Sequence, residues 1–233
     1  MNKQYTIDDL IDIVEKLRGE NGCPWDRAQT HESIKKSFIE EVYEAIDALD
    51  SGNDAMFANE LGDVLLQVVF HSQMAKERGA FDFNTCLNEI CTKLISRHSH
   101  VFGGDKAADA QESLSIWEKN KLKEKGLKSY TEALNDVPHS LPALMRAGKI
   151  LKKASDSGVV DISEDKIAEK TEKFRNAVNE NSTAEELEEK FGDLLLEVVN
   201  SGRKNHIDAE TALYKAVNRF IADFSSLEEN TAK

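Results

Sequence analysis

The chain reads as an all-α protein built on helical hairpins, and three observations lead there. Its 233 residues include only twelve Gly and three Pro, few interruptions in a sequence rich in Leu, Ala, Glu and Lys, which hold helices readily. Apolar residues recur at helical spacing: Phe38, Val42, Ala45, Ile46 and Leu49 are echoed nineteen positions on by Phe57, Leu61, Val64, Leu65 and Val68, each set on one helical face. The second of these arms returns late in the chain, where Phe191 to Val199 (FGDLLLEVV) parallels Leu61 to Val69 (LGDVLLQVV), the mark of an internal duplication. The expected architecture is two tandem units of helical-hairpin, four-helix-bundle type, the second degenerate. Their expected limits are 1–104 and 137–233, with 105–136 as a linker containing a helix.

In chain order, Ile7 to Leu17 forms a first helix, with Thr6 or Asp8 available to cap its start. Gly22 and Pro24 break it, and between two readings of Trp25, a plug in the core or an aromatic wall for a ligand, the residue type alone does not choose. A central hairpin then runs from Phe38 to His71, turning at Asp50-Ser51-Gly52-Asn53-Asp54. Phe83 to Ser99 makes another helix with Leu87, Ile90, Leu94 and Ile95 inward. The stretch His98 to Gly104 closes it, its two histidines read as hydrogen-bonded caps rather than metal ligands. Residues 105 to 113 are small, polar and charged and read as a flexible surface segment before an amphipathic helix around Trp117. Pro138 and Pro142 bracket a turn into a helix from Ala143 to Ala154, whose Lys149, Lys152 and Lys153 face solvent.

The chemistry concentrates in the central hairpin. Glu41 and Glu44 flank the first apolar stripe, and Glu60 and Asp63 flank the second at the same phase. A hairpin turning near Gly52 sets Glu41 against Asp63 and Glu44 against Glu60. At roughly 5 Å and an effective dielectric near 20, each like-charged pair costs on the order of 3 kcal/mol, so four such acids call for a cation or for raised pKa values. Oxygen ligands from short acidic side chains suit Mg²⁺, with Mn²⁺ as the alternative. Glu40 lies farther round the helix, placed to orient or deprotonate a water. Lys93 and Arg97, one turn apart, are either a solvated basic face or a clamp for the phosphates of a metal-bound nucleotide.

A formal net charge of −13 argues against a nucleic-acid polymer or an anionic membrane as partner. The N-terminus lacks the apolar core of a signal peptide, and the apolar runs near Val64 and Leu194 are too short for a bilayer. An odd count of cysteines, Cys23, Cys86 and Cys91, without a Cys-x-x-Cys pair, fits reduced thiols in a cytoplasmic protein. In the second copy Lys190 stands where Glu60 does, and Lys170 and Lys173 where Glu41 and Glu44 do, leaving Asp193 of the four acids. A lysine adds positive charge and no lone pair, so this copy is expected to keep the core and lose the chemistry.

These motifs together resemble the MazG-type nucleoside triphosphate pyrophosphohydrolases. The resemblance rests on Gly22-Cys23-Pro24-Trp25-Asp26 with Gln29-Thr30, on Glu40-Glu41-x-x-Glu44 followed by Glu60-x-x-Asp63, on Arg97-His98-Ser99-His100-Val101-Phe102, and on Leu141 to Ala147. It implies an all-α fold that dimerises into bundles, often with two copies per chain, and hydrolysis of nucleoside triphosphates to monophosphates and pyrophosphate with Mg²⁺. It further implies Glu41, Glu44, Glu60 and Asp63 as metal ligands and Glu40 beside the attacking water; Lys93, Arg97 and Trp25 remain the candidate substrate contacts on the reading of the residues above. Some two-copy relatives carry their main activity in the C-terminal copy, whereas here the acids survive in the N-terminal one. Two other readings stay open: a non-catalytic helical interaction protein, and a narrower pyrophosphatase of the dUTP or dCTP type.

Overall fold

Thr6 starts the first helix. Its hydroxyl accepts from the Asp9 backbone N–H, and the Asp9 carboxylate accepts from the N–H of Thr6, a reciprocal cap that satisfies two donors a helix end otherwise leaves open. The computed structural model describes residues 4–127 and 129–231, which form twelve α-helices and no strand. They divide into two compact units, Met1–Asn120 and Lys121–Lys233.

In the first unit α1 (Ile7–Arg18) and the short α2 (Pro24–Ala28) lead to the hairpin of α3 (Lys35–Asp50) and α4 (Asp54–Glu77). Gly52 takes a φ of 70° in the turn, and the Asn53 side chain accepts from the N–H groups of Ala55 and Met56 to begin α4. Ala45 and Ala48 are the buried residues of α3, and their small side chains let the two arms approach closely. The core lies toward the far end of α4, where Val69, Phe70 and Met74 pack with Val14 of α1 and with Ile34, which leads into α3.

Arg18 ties these pieces together. Its Nε and one terminal nitrogen donate to the two oxygens of Glu77 at 2.8 and 2.7 Å, while the other terminal nitrogen donates to the carbonyls of Asp26 and Gln29. The guanidinium also lies 5.3 Å over the Phe70 ring. It thereby fastens α1, α4 and the segment around α2 at one point. Gly22 is required beside it, because a Cβ there would stand 2.1 Å from the carbonyl oxygen of Leu17.

The helix α5 (Phe83–Arg97) touches α4 near its start, where Phe83 packs against the core and Ser72 Oγ meets Cys86 Sγ at 3.6 Å. Beyond that point the structure departs from the sequence reading. Leu87, Ile90, Leu94 and Ile95, expected inward, are about half exposed in the single chain, as are Val42, Ile46 and Leu61 of the hairpin. The periodicity marks a face that needs covering, and one chain does not cover it. α5 also stops before Ser99: the N–H of His98 donates to the Leu94 carbonyl, its ring Nδ1 lies 2.7 Å from the same oxygen, and α6 (Ser99–Phe102) follows. α7 (Ala110–Lys125) begins inside the stretch read as a flexible segment, since the Asp109 carboxylate accepts from the N–H of Glu112 and nucleates a turn.

In the second unit α8 (Tyr130–Asn135), which apolar periodicity did not reveal, is short and capped by Ser129. α9 (Ala143–Ser157) runs one turn past the expected end and stops at Gly158, whose φ is 65°. The hairpin of α10 (Ile167–Asn179) and α11 (Ala184–Lys204) turns at Asn181, with Thr183 and Glu186 forming a capping box. Phe174 and Phe191 meet across it at 5.3 Å. α12 (Ala209–Thr231) presents Leu213, Val217, Phe220, Phe224 and Leu227 on an exposed stripe.

Arg18→Ala is expected to destabilise the first unit by about 2–3 kcal/mol, the range for hydrogen bonds to charged groups. Urea unfolding at neutral pH measures it. Because the bonds from Arg18 hold the Glu77 carboxyl below its ordinary range, the share that comes from the Glu77 pair is present above about pH 4.5 and is lost as pH falls through the depressed pKa, while the bonds to the carbonyls remain.

Candidate metal and active site

Helix geometry places three acids of the hairpin together. Glu60 and Asp63 are one turn apart on α4, and Glu41 faces them from α3. One carboxylate oxygen from each of the three falls within 4.8 Å of the others. Glu44, one turn on from Glu41, does not join this triad, yet its charge still reaches Glu41. Burial raises the Glu41 pKa first, followed by the charges of Asp63 and Glu44, with a smaller contribution from Glu60. The hairpin therefore holds more negative charge than it neutralises.

Gln67, which the sequence reading did not single out, supports the triad. It lies one turn beyond Asp63 on α4, and its side-chain nitrogen donates to Glu41 at 3.5 Å. Its Oε1 is shielded from solvent and has no hydrogen-bond partner among the described residues. A buried acceptor beside three converging carboxylates is complementary to a hydrated divalent cation, whose bound water offers the missing donor. The oxygen-only donor set fits the same hard cation.

The other predicted site residues lie elsewhere. The Glu40 carboxylate is paired with Lys36 at 2.7 Å on the outer side of α3. Lys93 pairs with Glu89 at 3.4 Å, and the Arg97 guanidinium lies 5.4 Å over the Trp117 ring. Trp25 is 66% exposed at the start of α2, which removes the reading of this residue as a core plug. Gln67 carries a signal that helical phase would have found, because positions 63 and 67 share one face of α4.

The second hairpin shows the same place with the charge exchanged. Lys170 Nζ lies 2.6 Å from the Asp193 carboxylate, Lys173 pairs with Glu169, and Lys190 pairs with Glu189 at 2.7 Å. The Asp193 carboxyl is held below its ordinary range, first by the hydrogen bond from Lys170. Asp193 is answered by a cation of its own hairpin, whereas the Glu41, Glu60 and Asp63 oxygens converge on one another.

Known proteins are similar to this chain over most of its length. A model of the MazG nucleotide pyrophosphohydrolase domain matches residues 29–102, which include the whole α3–α4 hairpin. The nucleoside triphosphate pyrophosphohydrolase MazG of Thermotoga maritima is 44% identical over 223 residues, covering 96% of this chain and 86% of that protein. The chain belongs to the MazG family. The nucleoside triphosphate pyrophosphohydrolase of Escherichia coli K12 is 43% identical over 235 residues, 97% of this chain and 88% of its own. The Bacillus subtilis protein YabN is 40% identical over 225 residues, which span 46% of its length. The all-α fold is that of the MazG family, and no helix among the described residues is long and apolar enough to cross a membrane.

Glu41→Gln removes one charge from the triad. A carboxyl whose pKa is raised on folding favours the folded state below its unfolded value and loses that contribution as pH rises through the folded one. Without added metal, the variant is therefore expected to match the wild type near pH 4 and to be at least as stable at pH 7. Denaturant midpoints at the two pH values measure the crossover.

Proposed function

We propose that this MazG-family chain hydrolyses nucleoside triphosphates to nucleoside monophosphates and pyrophosphate, and that the first unit carries the reaction. The observation that carries this reading is the convergence of Glu41, Glu60 and Asp63 in a hairpin whose charge is unbalanced. Mg²⁺ or Mn²⁺ would be held by these three, with Glu44 one turn along as a further ligand. When bound, the cation neutralises phosphate charge and lowers the pKa of a coordinated water.

The chain's own groups supply the remainder. Gln67 orients the Glu41 carboxylate by its amide and offers Oε1 as an acceptor for a water proton. Glu40 is the candidate base: it takes a proton from the attacking water as the bond between the α and β phosphates breaks and pyrophosphate leaves. In the structure that carboxylate is paired with Lys36 on the outer side of α3, so this role requires it to turn from Lys36 toward the water. The exposed ring of Trp25 offers a stacking surface for a base, and Lys93 and Arg97 offer charge for phosphates. For the latter two to reach the triad, the half-exposed apolar faces of α5 and of the hairpin must be covered, and a second copy of the chain is the simplest cover. A homodimer in the cytoplasm is therefore part of this reading. The second unit serves packing or assembly, because a lysine already occupies the cation's place beside Asp193.

Incubation with each common nucleoside triphosphate and Mg²⁺, followed by product analysis, is expected to yield monophosphate plus pyrophosphate. Diphosphate plus phosphate would indicate another hydrolase, and no turnover would favour a binding module. Asp63→Asn is expected to lower kcat by on the order of 100-fold, with Asp193→Asn unchanged. Equal damage from the two substitutions, with folding intact, would move catalysis out of the first unit. Light scattering is expected to give twice the 26.1 kDa chain mass.

A further inference from the structure

Forty residues apart in sequence, His31 and His71 meet through their Nδ1 atoms at 2.8 Å. The ring planes differ by only 6°. That contact is too short for one ring lying over the other, so the near-parallel imidazoles meet edge to edge in an N–H···N hydrogen bond. Such a bond requires one Nδ1 to carry a proton and the other to present a lone pair. Both Nε2 atoms are shielded from solvent and have no partner among the described residues. The pair accepts one further proton with the bond intact; a second would place two N–H groups head to head and force the rings apart.

Position gives this pair a role. His71 is one turn beyond Gln67 and two turns beyond Asp63 on the same face of α4. Its ring packs against Phe38 at 5.5 Å, and Phe38 is one turn before Glu41 on α3. His31 belongs to the segment that feeds α3. The histidine bond, the Phe38 contact and the Gln67–Glu41 bond thus form a ladder between the two arms.

We propose that His31 and His71 are a proton-sharing positioning pair that holds α3 in register with α4 and thereby sets the geometry of the Glu41, Glu60 and Asp63 carboxylates. The proposal rests on the reading of that triad as the catalytic metal site. Glu32, beside His31, is the one neighbouring acid whose charge acts on the pair, and its carboxylate is also bound to Thr30 and to its own backbone and faces Arg78. The other charged groups around the pair are engaged elsewhere. Lys36 on α3 holds Glu40, and on α1 Glu15 and Arg18 hold Lys76 and Glu77. On α5 Glu89 holds Lys93, and His31 is the titratable group that acts on His71. Burial and then the charge of His31 lower the His71 pKa, so the brace stands above the ordinary histidine range and fails as pH falls through the lowered value.

Nitrogen NMR of the histidine-labelled wild type is the first test. One Nδ1 protonated and one bare at neutral pH, with the two rings titrating in coupled steps and the second step below the ordinary histidine range, is the expected result; two independent, ordinary histidines overturn the pairing. His71→Leu is expected to lower kcat and Mn²⁺ affinity by on the order of 10-fold at pH 7.5, with KM less affected. His71→Asn, whose amide replaces the Nδ1 bond without titrating, is expected to recover most of both and to lose less activity than wild type between pH 7.5 and 5.5. A His71→Asn pH profile that superimposes on wild type, or a folded His71→Leu with full kcat and Mn²⁺ affinity, overturns the positioning role. Should the wild type hydrolyse no nucleotide, the proposed function falls, and the NMR titration and Mn²⁺ affinities still decide the pair.

Discussion

A guanidinium taken into the interior of a small helical unit has five N–H groups to satisfy and a charge to balance. Arg18 meets four of those needs with two Glu77 oxygens and the carbonyls of Asp26 and Gln29. Three separate stretches of chain must be in place at once for this to occur. The bend at Gly22 has to be tight enough to bring α2 back under the end of α1, and α4 has to reach as far as Glu77. The position of the segment that carries Trp25 and His31 follows from this anchor. So does the angle at which α1 covers the hairpin.

Much of this was legible from spacing. Equal distances from Gly52 place Glu41 level with Asp63, and the structure brings them together with Glu60. Glu44 falls outside the triad although its spacing from Glu41 equals that of Asp63 from Glu60, so helical phase alone does not decide which carboxylates converge. The exposure of Leu87, Ile90 and Leu94 was not legible for another reason. Periodicity reports that a face is apolar, but it carries no information on whether the same chain covers it. Local capping chemistry decided the ends: His98 stops α5, and Asp109 starts α7 earlier than composition suggested. The contact of His31 with His71 has no local signature at all, although His71 does fall in phase with Asp63 and Gln67.

Comparison of the two hairpins separates what the fold needs from what the site needs. Both keep a long helix with a Gly-Asp pair, and both have an aromatic residue of the first arm that meets a ring of the second, Phe38 with His71 and Phe174 with Phe191. In the second hairpin Lys170 answers Asp193, so the Gly-Asp position is kept there without a converging set of acids around it. The first hairpin has such a set. Acidic convergence is therefore no requirement of the hairpin fold, and its presence beside a buried, unmatched amide oxygen sets the first unit apart.

The Lys170–Asp193 pair also bears on how the two units answer their surroundings. An ammonium tethered to the backbone is present at a fixed local concentration whatever the solution contains. A triad of carboxylates has no such counterion and draws one from outside, as a proton when the medium is acidic or as a cation when one is abundant. On the reading of the triad as a cation site, the stability of the first hairpin rises with the supply of free cations, whereas at the corresponding place in the second hairpin Asp193 already has its counterion within the chain.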